Sequence, residues 1–337
     1  MGDVAMTVPV IRAFVEQNKN VKVTVVSRPF FKTFFDGIDN VNFFAVDVKE
    51  RHKGFLGLLK LYSDLKELNI DAVADLHNVL RSKVIRTLFA LSGKKVAFTD
   101  KGRKEKKQLT RLENKIFKPL KSMFERHVDT FSKLGFSIDL TSGSVGTNFP
   151  KKAILSNEIL KISGEKQNSN WIGIAPFAQY ESKVYPKDLM QKVIDEFASN
   201  DQNKIFLFGG GNKEIEILNE FASTKNNVIV VAGKLNLQQE LQLISNLDVM
   251  LSMDSGNAHI AAMLGIKVIT LWGATHPFAG FSPFNQPLEN CLTADRYQYP
   301  LLPTSVYGNK KVEGYDDVMR SISVKRIVEK INTTFKN

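Results

Sequence analysis

The sequence predicts an α/β protein of two domains, each built on an open parallel sheet. Three observations carry that reading. At 337 residues the chain has the length of about two domains, enough to bury two sizeable cores. Short β-branched runs alternate with amphipathic stretches of helical length, an order that implies parallel strands joined by right-handed crossovers. The runs show little polar alternation, as suits strands covered on both faces.

The elements follow in order. The chain opens with "MGDVAMTVPVIRAF", in which Thr7 is expected to cap a helix with Pro9 in its first turn. Val10, Ile11, Phe14 and Val15 then form the buried side, and Asp3 lies at a strand-to-helix turn. Candidate strands follow at 21–26 (VKVTVV), 41–47 (VNFFAVD), 70–76 (IDAVADL) and 94–99 (KKVAFT). The second series is 171–177 (WIGIAPF), 204–210 (KIFLFGG), 227–233 (NVIVVAG), 248–254 (DVMLSMD) and 267–273 (KVITLWG), with helices at 186–198 and 236–246. Between the series, 140–168 is rich in Ser, Gly, Asn and Lys and reads as the interdomain region. The division is therefore 1–155 for the first domain and 165–312 for the second. Residues 313–337 form a terminal helix expected to pack back on the first domain. Two open α/β domains facing each other make a cleft, and ligands bind at the carboxyl ends of such strands.

Composition narrows the class. The hydrophobic fraction of 43% and charged fraction of 24% are those of a soluble globular protein. A single cysteine, Cys291, leaves no intrachain disulfide and favours a reducing cytoplasm. No apolar run approaches the roughly 20 residues of a membrane span. The net charge of +11 draws the chain towards polyanions. It is concentrated in "KGRKEKKQLTRLENKIFKPLK" (101–121), where only Glu105 and Glu113 oppose the Lys and Arg residues. That stretch is either a solvated helix face or a basic lip for an anionic acceptor or membrane surface. No aromatic-studded module accompanies it, which speaks against nucleic acid. His52, His77, His127, His259 and His276 are scattered without zinc-type spacing, so no metal is expected.

Four segments carry candidate chemistry. In "LDVMLSMDSGNAHIAAMLGIKVITLWGATHPF" (247–278) a buried strand runs into Asp254-Ser255-Gly256 and then a helix rich in alanine. The free N–H groups at such a start hold phosphate; Asp254 or Ser255 as a plain cap is the other reading. His259, in the first turn, is either a ligand or a packed polar residue. In "IGIAPFAQYESKVYP" (172–186) Lys183 stands on a loop after a strand, placed to neutralise a diphosphate or merely solvated. "FGGGNKEIEI" (208–217) lacks the G-x-G-x-x-G spacing of a dinucleotide fingerprint. Its Glu214 or Glu216 is a ribose acceptor or an acid favoured by the helix dipole. Asp3, finally, has the chemistry of a general base and equally that of a structural acid at a helix start.

Taken together, these segments resemble glycosyltransferase family 9, the bacterial lipopolysaccharide heptosyltransferases of GT-B fold, in matching order over nearly the whole chain. "GDVAMTVPVIRA" looks like the family's Gly-Asp motif, and "DLHNVLRSKVI" like its Asp-Leu-Gln-Gly…Arg-Ser segment. "ERHVDTFSKLG" is similar to its His-containing helix and "KVYP" to its Lys-x-Trp-Pro. "MDSGNAHIAAMLGIKVITLWGATHP" resembles its Asp-Ser/Thr-Gly-x-x-His stretch. The resemblance implies two Rossmann-like domains and inverting transfer of a sugar, heptose from ADP-heptose, to a lipopolysaccharide core or related glycolipid.

On that resemblance Asp3 is the base and Lys183 stabilises the departing diphosphate. Asp254, Ser255, Gly256, Lys183, His259 and Glu214 hold the nucleotide sugar. Arg81, Lys101, Arg103 and Lys104 meet the phosphorylated acceptor, with no cofactor or metal needed beyond the donor. The enzyme would work in the cytoplasm, touching the inner face of the membrane. Two departures stand out: Tyr185 replaces Trp, and His77-Asn78 replaces Gln-Gly. Family members also carry a β-strand and a Ser-containing loop before Gly-Asp, so Met1 is expected to be an internal methionine. The rival readings are a nucleotide-sugar epimerase on the same fold, which would consume donor without acceptor, and a non-catalytic, glycan- or lipid-binding degenerate transferase. A redox dehydrogenase ranks behind them.

Overall fold

Among the described residues ten strands form, all paired in parallel. The computed structural model describes residues 1–141, 149–150 and 152–335. Nine strands fall where the apolar runs predict them; β10, Cys291–Thr293, is additional. The chain divides into two units, the first holding Asp3–Arg103 and the residues from Lys121 on, the second Lys104–Leu120 and the residues from Phe149 on.

In the first unit β1 (Val23–Ser27) pairs with β2 (Val41–Ala45), and β3 (Ala72–Asp75) with β4 (Lys95–Phe98), as two separate two-stranded sheets. The strands are only half-buried, short of the two-sided cover their apolar runs suggest. Helices fill the interior instead. Leu58, Leu61 and Leu65 line one face of helix Gly54–Lys66 and meet Ile85 and Phe89 of helix Leu80–Leu91. Phe14 of helix Thr7–Gln17 stacks on Phe131 of helix Met123–Ser132, ring centroids 4.4 Å apart. Pro9, Val10, Ile11, Phe14 and Val15 are buried as expected. Thr7 is not the cap. A short helix, Gly2–Ala5, precedes it, Met6 at the cap position is already helical, and the Thr7 hydroxyl donates to the Val4 carbonyl at 2.7 Å. Asp3 accordingly lies inside that first turn rather than at a strand's end.

The second unit has one six-stranded sheet in the order β10-β9-β8-β5-β6-β7. Its strands are β5 (Asn170–Ala175), β6 (Asn203–Leu207), β7 (Val228–Val230), β8 (Val249–Met253), β9 (Lys267–Trp272) and β10. Ile172, Ile174, Ile205, Leu207, Val249, Leu251, Met253, Ile269 and Leu271 form one core with Met190, Val193 and Ile194 of helix Lys187–Ala198. The carboxyl-terminal helix, Val324–Phe335, departs from its expected place. Ile327 and Ile331 join this same core, and the helix packs on Lys187–Ala198, β8 and β9.

The basic stretch also departs from expectation. Residues 104–120 group with the second unit, although the sequence division puts them in the first. Aromatic stacking is the physical reason. Phe117 sits against His276 and Phe278, the Arg296 guanidinium lies 3.4 Å from its ring centre, and the Leu120 N–H donates to the Phe278 carbonyl. Lys106 is buried over the Phe281 ring, and Lys115 donates to the carbonyls of Leu109 and Pro303. Of the expected interdomain region 140–168, residues 142–148 and 151 lie outside the described residues; 157–163 form a helix.

Candidate functional site

The second unit carries a buried charge pair where its central strand meets a helix. β8 ends at Met253, and the Asp254 N–H still follows the ladder, donating to the Leu271 carbonyl. The Asp254 carboxylate then turns inward. Its Oδ2 receives Lys183 Nζ at 3.0 Å and the Thr275 hydroxyl at 2.9 Å. Both ion-pair side chains are about nine-tenths covered. A carboxylate so removed from water must be matched by donors, and here two are supplied.

Ser255 is the extended residue before helix Gly256–Met263, and its side chain makes no capping bond. Its hydroxyl pairs instead with Ser252. The plain-cap reading therefore fails for both residues: Asp254 is engaged elsewhere and Ser255 faces the other way. No side-chain cap therefore occupies the first turn of the helix; N–H groups at a helix start are the kind of donors that suit phosphate. His259 is buried within the helix's first turn, beside Ala258 and Ala261, which are fully packed.

Close backbone approach fixes Lys183. It ends a 3₁₀ turn, Glu181–Lys183, whose Ser182 carbonyl accepts from the Ala274 N–H. Gly273 is needed there, because a Cβ on it would stand 2.5 Å from the Ser182 oxygen. Gly308 lies on the other side with φ +88°, and a Cβ on it would meet the Lys183 side chain at 2.7 Å. The Ser182 hydroxyl donates to the Gly308 carbonyl and the Gly308 N–H to Ser305 Oγ. Tyr185, two residues on, is a core residue: it is buried and its phenol donates to the Ile322 carbonyl, while burial pushes its pKa up to about 12. Glu214, in the first turn of helix Asn212–Ala222, folds back so that Oε2 accepts from the Gly210 N–H at 2.8 Å. It closes the glycine turn, while Glu216 is exposed.

The first unit gathers a second, more open set. Asp3 Oδ2 lies 3.5 Å from His77 Nε2, and the two side chains are 66% and 59% exposed. The Asp3 carboxyl is held down at about pH 2, first by its bond to His77 and then by the charges of Lys101 and the Met1 amino group, with burial opposing. His77 stands on a turn organised by Asp75 at the carboxyl end of β3. Asp75 Oδ1 accepts from the N–H groups of His77 and Asn78, and Arg86 bridges Asp75 Oδ2 and Asn78 Oδ1. Asn78 adopts φ +46°, a left-handed value that Asn tolerates better than most residues.

Lys101 is half-buried, its pKa lowered by burial against the pull of Asp3. Of the remaining acceptor candidates, Arg103 lies close enough for its charge to lower the Lys101 pKa further. Arg81, Arg103 and Lys104 are exposed, and Lys104 falls with the second unit.

Sequence reading missed Thr275, Arg86, Ser305 and Gly308; Thr275 lies 21 positions from the Asp254 it meets. A Thr just after the strand "KVITLWG" was visible, but nothing in it says which carboxylate it meets. Among the described residues no three His, Cys, Asp or Glu side chains cluster to hold a metal ion. No helix among them is long and apolar enough to cross a membrane.

Two parallel α/β units, the second on a six-stranded sheet, are the architecture of GT-B glycosyltransferases. Solved structures agree on the fold. The E. coli heptosyltransferase WaaC with ADP has a TM-score of 0.68 at 19% identity, covering 99% of this chain and 97% of its own. A family 9 glycosyl transferase from Veillonella parvula reaches 0.73 at 17% identity, with 99% and 94% coverage. The profile of "Glycosyltransferase family 9 (heptosyltransferase)" matches residues 58–309, and the chain belongs to that family. It is a glycosyltransferase. A curated relative, the lipopolysaccharide core heptosyltransferase OpsX of Haemophilus influenzae, is 25% identical over 87% of this chain and 81% of its own length.

Proposed function

We propose that this chain transfers heptose from ADP-heptose to the core of a lipopolysaccharide, with inversion at the anomeric carbon. The observation that carries the reading is the Lys183–Asp254 pair beside a helix start whose N-cap side chain leaves the first amides undisturbed. A lysine there neutralises charge as it develops on a leaving diphosphate. The family and the names of the relatives support the sugar and the acceptor class.

In this reading the helix start at Ser255 and Gly256 takes the β-phosphate, His259 lies under it, and Glu214 releases Gly210 to meet the ribose. Asp3 removes the proton from the acceptor hydroxyl as that oxygen attacks C1 from the face opposite the nucleotide. ADP departs with the electrons of the broken C1–O bond, and Lys183 compensates the added charge. Arg81, Lys101, Arg103 and Lys104 recognise acceptor phosphates, and the work is done at the cytoplasmic face of the inner membrane.

The test offers ADP-heptose, ADP-glucose and UDP-glucose with a heptose-free lipopolysaccharide core. The expected result is transfer from ADP-heptose only, dependent on acceptor, with the opposite anomeric configuration in the product. Donor turnover without acceptor would instead give the epimerase reading. Retention of configuration would remove Asp3 from the role of base.

A further inference from the structure

We propose that the second unit carries a phosphate subsite: Arg296 and Lys115, a half-buried cationic pair beside Phe117, take the head of a phosphate monoester. The subsite shares no residue with the helix start at Ser255 and Gly256, nor with the acceptor set of Arg81, Lys101, Arg103 and Lys104.

One loop builds the pair. Arg296 Nε donates to the Leu302 carbonyl at 3.0 Å, and Lys115 Nζ donates to the next carbonyl, that of Pro303, at 2.6 Å. The Thr304 and Ser305 N–H groups both donate to the Ala274 carbonyl, which fastens the loop just beyond the end of β9. The Ala274 N–H in turn donates to Ser182, the neighbour of Lys183. All these residues belong to the second unit.

Arg296 is held with its outer edge open. Its guanidinium lies 3.4 Å from the centre of the Phe117 ring. Nε is taken by Leu302, while Nη1 and Nη2 bond to nothing among the described residues. Such a pair of nitrogens is the fork that grips two oxygens of one phosphate. Lys115 uses two of its donors on the carbonyls of Leu109 and Pro303, and an ammonium has three.

Charge points the same way. Both side chains are half-buried, and among the described residues neither enters an ion pair. Asp295, next to Arg296, turns its carboxylate to the Tyr297 N–H. The Lys115 pKa is lowered to about 8 by burial and then by the charge of Arg296, with no acid pulling it back. His276, edge-on to Phe117, feels Arg296 as well and is neutral near pH 7.

Pinning residues 104–120 does not require this arrangement. Two carbonyls are satisfied by a neutral donor, and Phe117 by stacking. A second cation beside a guanidinium, out of full contact with water, is unfavourable until an anion joins them. A carboxylate fits the fork with one charge, whereas a phosphate monoester brings nearly two.

The experiment acetylates the protein briefly with acetic anhydride at about pH 7.5, where few lysines are unprotonated, and maps each lysine by mass spectrometry. It is run in inorganic phosphate and in sodium chloride of equal ionic strength, so that screening is matched. Lys115 of wild type is expected to be modified several-fold more slowly in phosphate, because the bound anion holds the proton on its amine. R296Q should lose that protection. R296K, which keeps a charge over Phe117 without the fork, should lose most of it with an unchanged thermal midpoint. Equal modification of Lys115 in the two salts overturns the subsite, as does protection that survives whole in both variants.

A second arm, which rests on the transferase reading, asks which molecule carries the phosphate. It measures acceptor KM for transfer from ADP-heptose to phosphorylated and to phosphatase-treated core. A rise on the order of 10-fold in R296Q and K115Q, far larger on the phosphorylated core, assigns the phosphate to the acceptor. An equal rise on both cores overturns that source. Unchanged KM on both, with Lys115 of wild type protected, assigns the site to a free phosphate. Absence of transfer in wild type overturns the transferase reading and leaves the labelling result standing.

Discussion

The two units share the same alternation of strand and helix and reach different interiors. In the second, β5, β6, β8 and β9 are flanked by strands on both sides and covered on both faces, with Ile172, Ile174 and Leu251 wholly buried. In the first, β1 and β3 each have a single partner strand among the described residues, and Val23, Thr24 and Val25 are half-exposed. The candidate chemistry follows the same division. Lys183 and Asp254 are locked together away from water, whereas Asp3 and His77 meet in the open. The lesson is that charge pairs of similar type do different work at different depth. A buried pair is held by the price of leaving either member alone, while an open pair answers to solvent and its pH.

That contrast can be tested in stages. The largest effect is expected from Lys183→Met, which leaves Asp254 buried with only Thr275 as donor. Breaking such a pair costs about 3–5 kcal/mol, read as a fall in urea midpoint, and turnover should drop by roughly 10²-fold or more. The same truncation at the open pair, in H77A, should leave the urea midpoint nearly unmoved; equal losses would erase the distinction drawn here. Next comes a matched pair of strand variants. Ile174→Ala in β5 should cost about 2–5 kcal/mol, and Val25→Ala in β1, half-exposed, under about 1 kcal/mol.

A smaller, pH-dependent effect belongs to His276, whose pKa is pushed down to about 4 by burial and then by Arg296. The folded state holds the ring neutral while the unfolded chain protonates it near pH 6.5. Its stability contribution is therefore complete above about pH 6.5 and is lost as pH falls towards 4. His276→Asn, which keeps an acceptor for the Phe278 N–H, should flatten that part of the stability curve, by on the order of 3 kcal/mol at its acid end. An effect smaller than that of His276 is expected from Thr275→Val, about 1–2 kcal/mol for a lost bond to a buried carboxylate. Calorimetry should show ADP binding weakened as well, since Asp254 then leans on Lys183 alone.

How far the sequence reaches can be seen element by element. Unbroken apolar runs such as "DVMLSMD" announce their strands because burial on both faces demands them. β10 does not, being three residues long and flanked by polar chain. The Asp254-Ser255-Gly256 motif and Lys183 were visible as separate signals, and the 3.0 Å bond between them was not, because Lys183 and Asp254 lie 71 positions apart. The basic stretch misled for a related reason: its charge was legible, but Phe117, which places it, looks like any apolar residue until Arg296 and His276 stand against it. Thr7 failed as a cap because local preference cannot see that the chain is already helical before it.

The short sheets of the first unit have one more consequence. Among the described residues each two-stranded sheet has an edge on either side, at β1, β2, β3 and β4, with Val26 of β1 and Phe98 of β4 exposed. Such borders recruit extended segments from whatever chain is at hand. Concentrating this protein is thus a contest between its net charge of +11, which keeps copies apart, and adhesive sheet edges that invite strand exchange. Salt, by screening the first and sparing the second, should tip it towards assembly.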